Sequence, residues 1–459
     1  MSKLASDIRF WIILFFVIRL VGITNPPLEA GHNWRQSSVN MIARNYQEDK
    51  TTFFYPMLDV GAPNSGITGT EFPIYNYAIA IVAKVFGWNH WYGRLINLLI
   101  SSLGIYFFFL TIRIWQDDRA AFFATLVLLV SFWFAYSRKI MPDTISASFC
   151  LMALYLASRW IKSNGLGFLM AFIFLASLGL LIKISSAPIL APLILVFYPK
   201  SRPIRKKLLF IVAGFVLLVP VVFWYAYWFY HLVEIGRFQF YFMGPDLKTG
   251  LMQLVNDPNS ALDNFYQDSL KFSGFVAFLM GIVAIIQHRM KLAAGIFAAA
   301  ALSFFAFMVK AGYGFSTHEY YTIPFVPVMA FVAGIGIAKL PSLKWRWLLV
   351  AFIMIEGIAN QYHDFILKDS EKYKLTYEKI ADENIPHNAF VAVNSGPNPQ
   401  ELYFLHRKGK AMHSMEIFNG INELRLQGFG FILWNKHHAS ERLLLAPKFE
   451  NEHIILYEL

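Results

Sequence analysis

A single cysteine, Cys150, among 459 residues rules out an internal disulfide, so cysteine usage says nothing about redox compartment. Charge is scarce too: Asp, Glu, Lys and Arg make up 15% of the chain against 57% hydrophobic residues, and the mean hydropathy is +0.47. A soluble domain needs more polar residues than that to cover its surface. There is no nucleophile elbow, P-loop, HExxH or paired CxxC, and the missing P-loop argues against an ATP-driven pump. Tandem repeats and low-complexity tracts are also missing. The first apolar run is followed by no small-residue cleavage site, so it reads as a retained helix and not as a removed signal peptide.

What the chain does have is a series of apolar runs near the roughly 20 residues that cross a bilayer. Eleven are read as spanning helices, at about 8–24, 91–114, 119–137, 142–161, 166–183, 185–199, 208–230, 272–287, 292–310, 320–338 and 346–362. The expected fold class is therefore an all-α polytopic membrane protein. A net charge of +11 would suggest nucleic acid in a soluble protein. Here the basic residues collect in short loops, and no nucleic-acid partner is expected. With a cytoplasmic N-terminus, sixteen Lys and Arg residues fall in the inner connections, from Lys3 and Arg9 through Lys200, Arg202, Arg205, Lys206 and Lys207 to Arg346. Only Arg138, Lys139, Lys183 and Lys310 fall in the short outer turns. That asymmetry places the loops 25–90 and 231–271 and the segment after 362 outside the cytoplasm. Residues 1–362 then form the membrane domain, and 363–459, with mixed composition and apolar strand-like runs, a small extracytoplasmic α/β domain.

The first outer loop gathers most of the polar chemistry. Its Ser37–Tyr46 stretch reads as a helix whose apolar face, Val39, Ile42, Ala43 and Tyr46, suits a membrane interface. Three acids, Glu29, Asp59 and Glu71, each stand beside a turn or proline. Glu48 and Asp49 look like a solvated helix end. Ordinary loop charge is the bland account of all five. Against it stand His32, Trp34, Arg35 and Gln36 at close spacing in the same loop, the surroundings a carboxylate needs to act as a general base.

A second set sits at the outer membrane edge: Arg138, Lys139, Asp143, Lys183, Lys310, His318 and Glu319. Charges there normally face a cavity or a partner, though Lys139 and Lys310 could equally snorkel to headgroups. Arg and Lys close together at a membrane surface suit a phosphate. His318 beside Glu319 leaves a divalent metal open, no metal ligand being assigned, and no other cofactor is called for. Gly334-Ile335-Gly336 suits close helix packing better than nucleotide binding.

Taken together, His32-Asn33-Trp34-Arg35-Gln36, Glu71-Phe72-Pro73-Ile74-Tyr75 and Gly93-Arg94-Leu95 form a recognisable combination. With Tyr136-Ser137-Arg138-Lys139-Ile140-Met141-Pro142-Asp143, Lys183 and His318-Glu319-Tyr320-Tyr321, it resembles the bacterial members of glycosyltransferase family 39. These are relatives of protein O-mannosyltransferases and lipid A aminoarabinose transferase, in the GT-C fold class. The resemblance covers about 10–330, and 363–459 only by position and general character. It implies a multi-pass enzyme of the bacterial inner membrane that moves a sugar from a polyprenyl-phosphate carrier to a lipid, glycan or protein acceptor, with inversion. Glu29 is then the first choice of base, with Asp59 or Glu71 as second base or acceptor anchor. Arg138, Lys139 and Lys183 hold the donor phosphate, and His32, Trp34, Arg35, Gln36, Tyr75, Asp143, His318, Glu319 and Tyr320 line the substrates. Many relatives carry an acidic pair directly before the histidine, where this chain has Ala30-Gly31. A transporter or flippase of lipid-linked sugars is the rival reading. It fits the intramembrane charges but not the lack of internal repeats.

Overall fold

The structure is a computed structural model that describes residues 4–29, 31–198, 203–241 and 243–459. Lys3, Ala30, Lys200, Arg202 and Phe242 lie outside the described residues, as does part of the basic loop 199–207. The chain divides into two units: Met1–Ile23 with Arg94–Tyr225 and Phe242–Phe365, and Thr24–Gly93 with Ala226–Tyr241 and Ile366–Leu459.

The first unit is helical, and its helices arise where the apolar runs lie. They include Ile8–Arg19, Asp118–Val130, Pro142–Ser163, Leu166–Ile182, Lys271–Gln287, Lys291–Ala311, Val326–Lys339 and Leu343–Ala359. Local signals set several boundaries. The Asp117 carboxylate accepts from the Ala120 N–H at 2.7 Å and starts one helix, and Pro142 opens another. Asn164 ends the latter in the left-handed region at φ 59°. Three expected spans come out shorter or different. The 119–137 run breaks at Ser131, which is extended. The 185–199 run forms two 3₁₀ helices, Ile184–Ile189 and Ala191–Phe197, because Pro188 and Pro192 interrupt the α-helical hydrogen-bond ladder. The 320–338 run becomes α-helical only at Val326, after a 3₁₀ turn at Glu319–Thr322 and Pro324.

The glycines at 334 and 336 do pack helices closely. A Cβ on Gly334 would lie 2.5 Å from the Ala124 Cβ, and one on Gly336 would lie 2.6 Å from the Gly281 nitrogen. Outward, Phe174, Phe215, Val219 and Leu302 are each more than 60% exposed. An apolar exterior of this kind is covered by lipid, and the chain is a membrane protein. Among the described residues four helices are long and apolar enough to cross a bilayer, Tyr92–Trp115, Pro142–Ser163, Ile204–Gly236 and Lys291–Ala311. A fifth span is possible if the 98° bend between Pro258–Ser269 and Lys271–Gln287 is bridged as one crossing.

The second unit is built on a five-stranded sheet. Its strands are β1 (Phe390–Val393), β2 (Gly409–Ala411), β3 (Phe429–Asn435), β4 (Pro447–Glu450) and β5 (Ile454–Glu458), in the order β2-β1-β3-β5-β4. β1 runs parallel to β2 and β3, whereas β5 is antiparallel to β3 and β4. Strand period two sends Phe431 and Leu433 to one face and Ile432 and Trp434 to the other. On the first face the core takes in Met41, Ile42 and Tyr46 of the helix Asn33–Gln47, together with Leu402, Tyr403 and Phe404. The apolar face expected to lie on a membrane interface is buried here instead, with Ile42 and Tyr46 each 2% exposed. The first loop also extends the sheet edge. The Gly409 N–H donates to the Asp59 carbonyl at 2.8 Å, and the Ala62 N–H donates to the Gly409 carbonyl at 3.0 Å. Loop and C-terminal segment fold as one body.

Candidate active site

In the second unit, Gly31 at φ 76° and His32 at φ 56° turn the chain into the helix Asn33–Gln47 through left-handed backbone that glycine adopts without strain. That entry sets the bearing of the next side chains. Arg35 forms an ion pair with Glu71, and its guanidinium lies 4.6 Å from the centre of the Tyr241 ring. Trp34 is 42% exposed and meets Phe240 edge-on at 5.7 Å, while Gln36 is fully buried. The Tyr75 hydroxyl donates to the Gly93 carbonyl at 2.8 Å.

Each of the three acids has partners within its own unit. Glu29 is fully buried, its backbone bridges to Leu367, and its carboxylate accepts from the Asn25 amide at 3.4 Å. Asp59 is buried at the sheet edge and accepts from the Asn45 amide at 3.1 Å. Burial pushes its carboxyl up, against the lowering pull of Lys50, Asn45 and Arg44. Glu71 is held by Arg35. The structure therefore brings Arg35 and Glu71 together and gives Asp59 partners of its own.

In the first unit, the turn between Tyr136 and Pro142 carries the basic pair, and both cations are buried. The Arg138 Nη2 donates to the Gly22 carbonyl at 2.7 Å, and its guanidinium stacks 4.1 Å from the Phe365 ring centre. Lys139 Nζ lies 2.6 Å from Asp364. Lys183 pairs with Asp143 and sits 4.9 Å from the Tyr320 ring centre, so three residues assigned separately from sequence form one cluster. The Tyr136 hydroxyl donates to Glu319 at 2.9 Å. His318 places Nδ1 2.9 Å from the Thr317 hydroxyl and stacks on Tyr321.

Sequence reasoning missed Asn97, Arg19 and Asp364. Fully buried Asn97 donates from its amide to the carbonyls of Tyr136 at 3.0 Å and Lys139 at 2.7 Å, and accepts from Thr144 at 2.8 Å and Ser101 at 2.9 Å. It fixes the backbone that presents Arg138 and Lys139. The available signal was a polar Asn97/Ser101 pair one turn apart in an otherwise apolar helix. Arg19 was legible as a charge inside the first apolar run.

Among the described residues, no three or more His, Cys, Asp or Glu side chains are placed to hold a metal ion. His318 and Glu319 therefore have no third such side chain beside them among the described residues. A cavity lined by Phe108, Trp115, Leu154, Pro192, Ile296 and Phe331 lies among the membrane helices. With no ionisable group on its wall, it does not contribute acid, base or phosphate-binding chemistry.

The fold is similar to that of ArnT from Cupriavidus metallidurans bound to undecaprenyl phosphate, with a TM-score of 0.63, 13% identity and 98% of each chain covered. It is also similar to the Archaeoglobus fulgidus oligosaccharyltransferase in complex with Zn and sulfate, with a TM-score of 0.57 and 16% identity over 92% of this chain and 67% of that one. The shared architecture is that of the GT-C fold class.

Within that class, residues 70–227 match the family model for dolichyl-phosphate-mannose-protein mannosyltransferase, which bears out the resemblance to glycosyltransferase family 39. A putative mannosyltransferase, YkcB of Bacillus subtilis (strain 168), is 24% identical over 216 residues, a match spanning 45% of this chain and 30% of that protein. The matched stretch takes in Glu71, Asn97, Arg138, Lys139, Asp143 and Lys183, while Glu29, His32, Asp59 and His318 lie outside it.

Proposed function

We propose that the chain is a membrane glycosyltransferase that moves a sugar from a polyprenyl-phosphate carrier to a lipid, glycan or protein acceptor. The observation that carries this reading is the buried Tyr136–Met141 turn, held by Asn97 and bearing Arg138 and Lys139, inside the stretch that matches the mannosyltransferase family model. Buried guanidinium and ammonium groups in a membrane domain suit a phosphate. The leaving phosphate already carries negative charge, so no general acid is required, and Arg138, Lys139 and Lys183 stabilise the charge that develops as the sugar–phosphate bond breaks.

The acceptor hydroxyl attacks the anomeric carbon opposite that bond, which inverts the centre, and its proton passes to a carboxylate of the first loop. Glu29 is the base on this reading. Glu71, already committed to Arg35, serves with it in orienting acceptor or sugar, and Asp59 holds the sheet edge. Read as eleven crossings, the apolar runs of 1–362 lie in the inner membrane with the N-terminus cytoplasmic. They put 363–459 outside, where nucleotide sugars are absent and lipid-linked donors are available. A cysteine added after Leu459 should then react with an impermeant thiol reagent in intact cells. Labelling only after lysis would refute that orientation.

The decisive assay gives purified protein a polyprenyl-phosphate sugar and an acceptor, and follows released polyprenyl phosphate against glycosylated product. Carrier movement across liposomes without transfer would favour a transporter. Glu29→Gln should lower kcat by about 100-fold or more, the scale of a lost general base. Near-normal transfer by Glu29→Gln, Asp59→Asn and Glu71→Gln alike would sink the carboxylate assignment.

A further inference from the structure

Arg19, the last residue of the helix Ile8–Arg19, has no role in the reaction as described so far, and it is fully buried. Its Nε donates to the Phe15 carbonyl one turn back at 2.9 Å, and its Nη1 donates to the Ser137 hydroxyl at 2.5 Å. Among the described residues its Nη2 has no hydrogen-bond partner, and no carboxylate pairs with it. The carbonyls at a helix C-terminus favour a cation there, but they are dipoles and leave the full charge uncompensated. The like charge of Arg138 adds repulsion. A guanidinium buried in this way is costly unless an anion accompanies it.

The two lysines of the cluster arrive with acids of their own, Lys139 with Asp364 and Lys183 with Asp143. Arg19 does not. It is also tied to the basic turn from two directions. Its own side chain grips Ser137, and the Arg138 side chain returns to the Gly22 carbonyl three residues beyond Arg19.

We propose that Arg19 is a further member of the donor site, supplying the uncompensated positive charge against which the carrier's phosphate monoester binds. The inference rests on the polyprenyl-phosphate reading above. It adds a residue from the first helix, outside both the motifs and the stretch that matches the family model.

The test measures binding of undecaprenyl phosphate, and of uncharged undecaprenol, to the full chain in nanodiscs of neutral lipid. Wild type should prefer the phosphate. Arg19→Gln should lose at least tenfold in affinity for the phosphate and less than twofold for the alcohol, and Arg19→Lys should recover part of the preference. If wild type binds both alike, the donor reading fails and this inference falls with it. If wild type discriminates and folded Arg19→Gln discriminates equally well, only the Arg19 assignment fails. Should Arg19→Gln not fold, Arg19→Lys decides: retained preference supports the charge role, and its loss in a folded protein overturns it. Phosphatidylglycerol at equal concentration should not displace undecaprenyl phosphate. Equal displacement would assign the anion to bulk lipid and overturn the proposal.

Discussion

Asn97→Ala is the sharpest probe of how the basic turn is held. The side chain has no exposed surface, and its amide donates to two carbonyls of the turn, Tyr136 at 3.0 Å and Lys139 at 2.7 Å. Its oxygen accepts from the hydroxyls of Thr144 at 2.8 Å and Ser101 at 2.9 Å. Some of these groups can recover. The Thr144 hydroxyl also lies 3.2 Å from the Tyr136 carbonyl and can turn wholly to it. Counting two bonds lost outright, at about 1–3 kcal/mol for each buried group left unsatisfied, gives a destabilisation of roughly 2–6 kcal/mol. Part of that loss should be local, because a turn without its clamp no longer presents Arg138 and Lys139 together. Thermal unfolding in detergent should show a drop of several degrees, and affinity for a polyprenyl phosphate should fall by about tenfold or more. Asn97→Asp keeps the shape but turns an acceptor towards two carbonyls, and should do at least as much harm. If Asn97→Ala melts within a degree of wild type and binds the phosphate within twofold, the amide does not hold the turn.

Two further outcomes follow from the packing and charge of each unit. In the second unit, His406 lies 2.8 Å from Glu48 and 2.9 Å from Glu378. Burial opposes the charged imidazolium, but the two carboxylates raise His406 above its ordinary value, so its contribution to stability is full below about 6.5 and lost as pH rises through the raised value. Burial likewise opposes the Glu48 carboxylate, yet His406 and Lys50 hold it at about 2, so its contribution is full above about 4.5 and lost as pH falls towards 2. Thermal stability should therefore be highest between about pH 4.5 and 6.5, and Glu48→Gln should flatten both flanks; an unchanged profile would count against the pairing. In the first unit, Gly334→Leu would press a side chain onto Ala124, whose Cβ and backbone lie 2.5–2.6 Å from the position of the first added carbon. Overpacking against backbone should cost about 3 kcal/mol or more, read as a lowered melting temperature, and a variant as stable as wild type would show that the helices can part.

Much of the first unit was legible because membrane helices announce themselves by local composition. The runs at 142–161, 166–183, 272–287 and 292–310 match the observed helices to within a residue or two at each end. What local composition could not deliver is where prolines and polar turns break a run, as at Ser131 and across Pro188 and Pro192. The second unit was less legible for a different reason. The helix Asn33–Gln47 has an apolar face, and a face says that something covers it without saying what. Its cover comes from Leu402, Tyr403 and the sheet, more than 340 residues away in sequence. The candidate site divides in the same way. Residue types and spacing picked out Arg35, Glu71, Arg138, Lys139 and Lys183, while their partners Tyr241 and Asp364 lie far along the chain.

Those long-range partners change how the cations must be counted. From sequence, Arg138, Lys139 and Lys183 look like three positive charges awaiting a phosphate. In the folded unit Lys139 faces Asp364 and Lys183 faces Asp143, and each such pair is close to neutral when seen from a third charge. A phosphate approaching a neutral pair gains little unless the carboxylate moves aside or is already satisfied elsewhere. Among the described residues the second Asp143 oxygen has no hydrogen-bond partner, whereas its Lys183 also sits over the Tyr320 and Tyr321 rings in cation–π contact. On the proposed function, lysine pairs of this kind would serve as a reserve: the ammonium is kept buried and oriented by an acid, which a donor phosphate would replace. Arginine suits the complementary task. Its charge persists at any working pH, and its planar fork can hold a protein oxygen with one edge while presenting the other. Arg19, with Nε on Phe15, Nη1 on Ser137 and, among the described residues, no partner on Nη2, keeps one nitrogen for such a contact. Under the proposed function the lysines would set the capacity of a donor site, and the Arg19 guanidinium its standing preference for an anion.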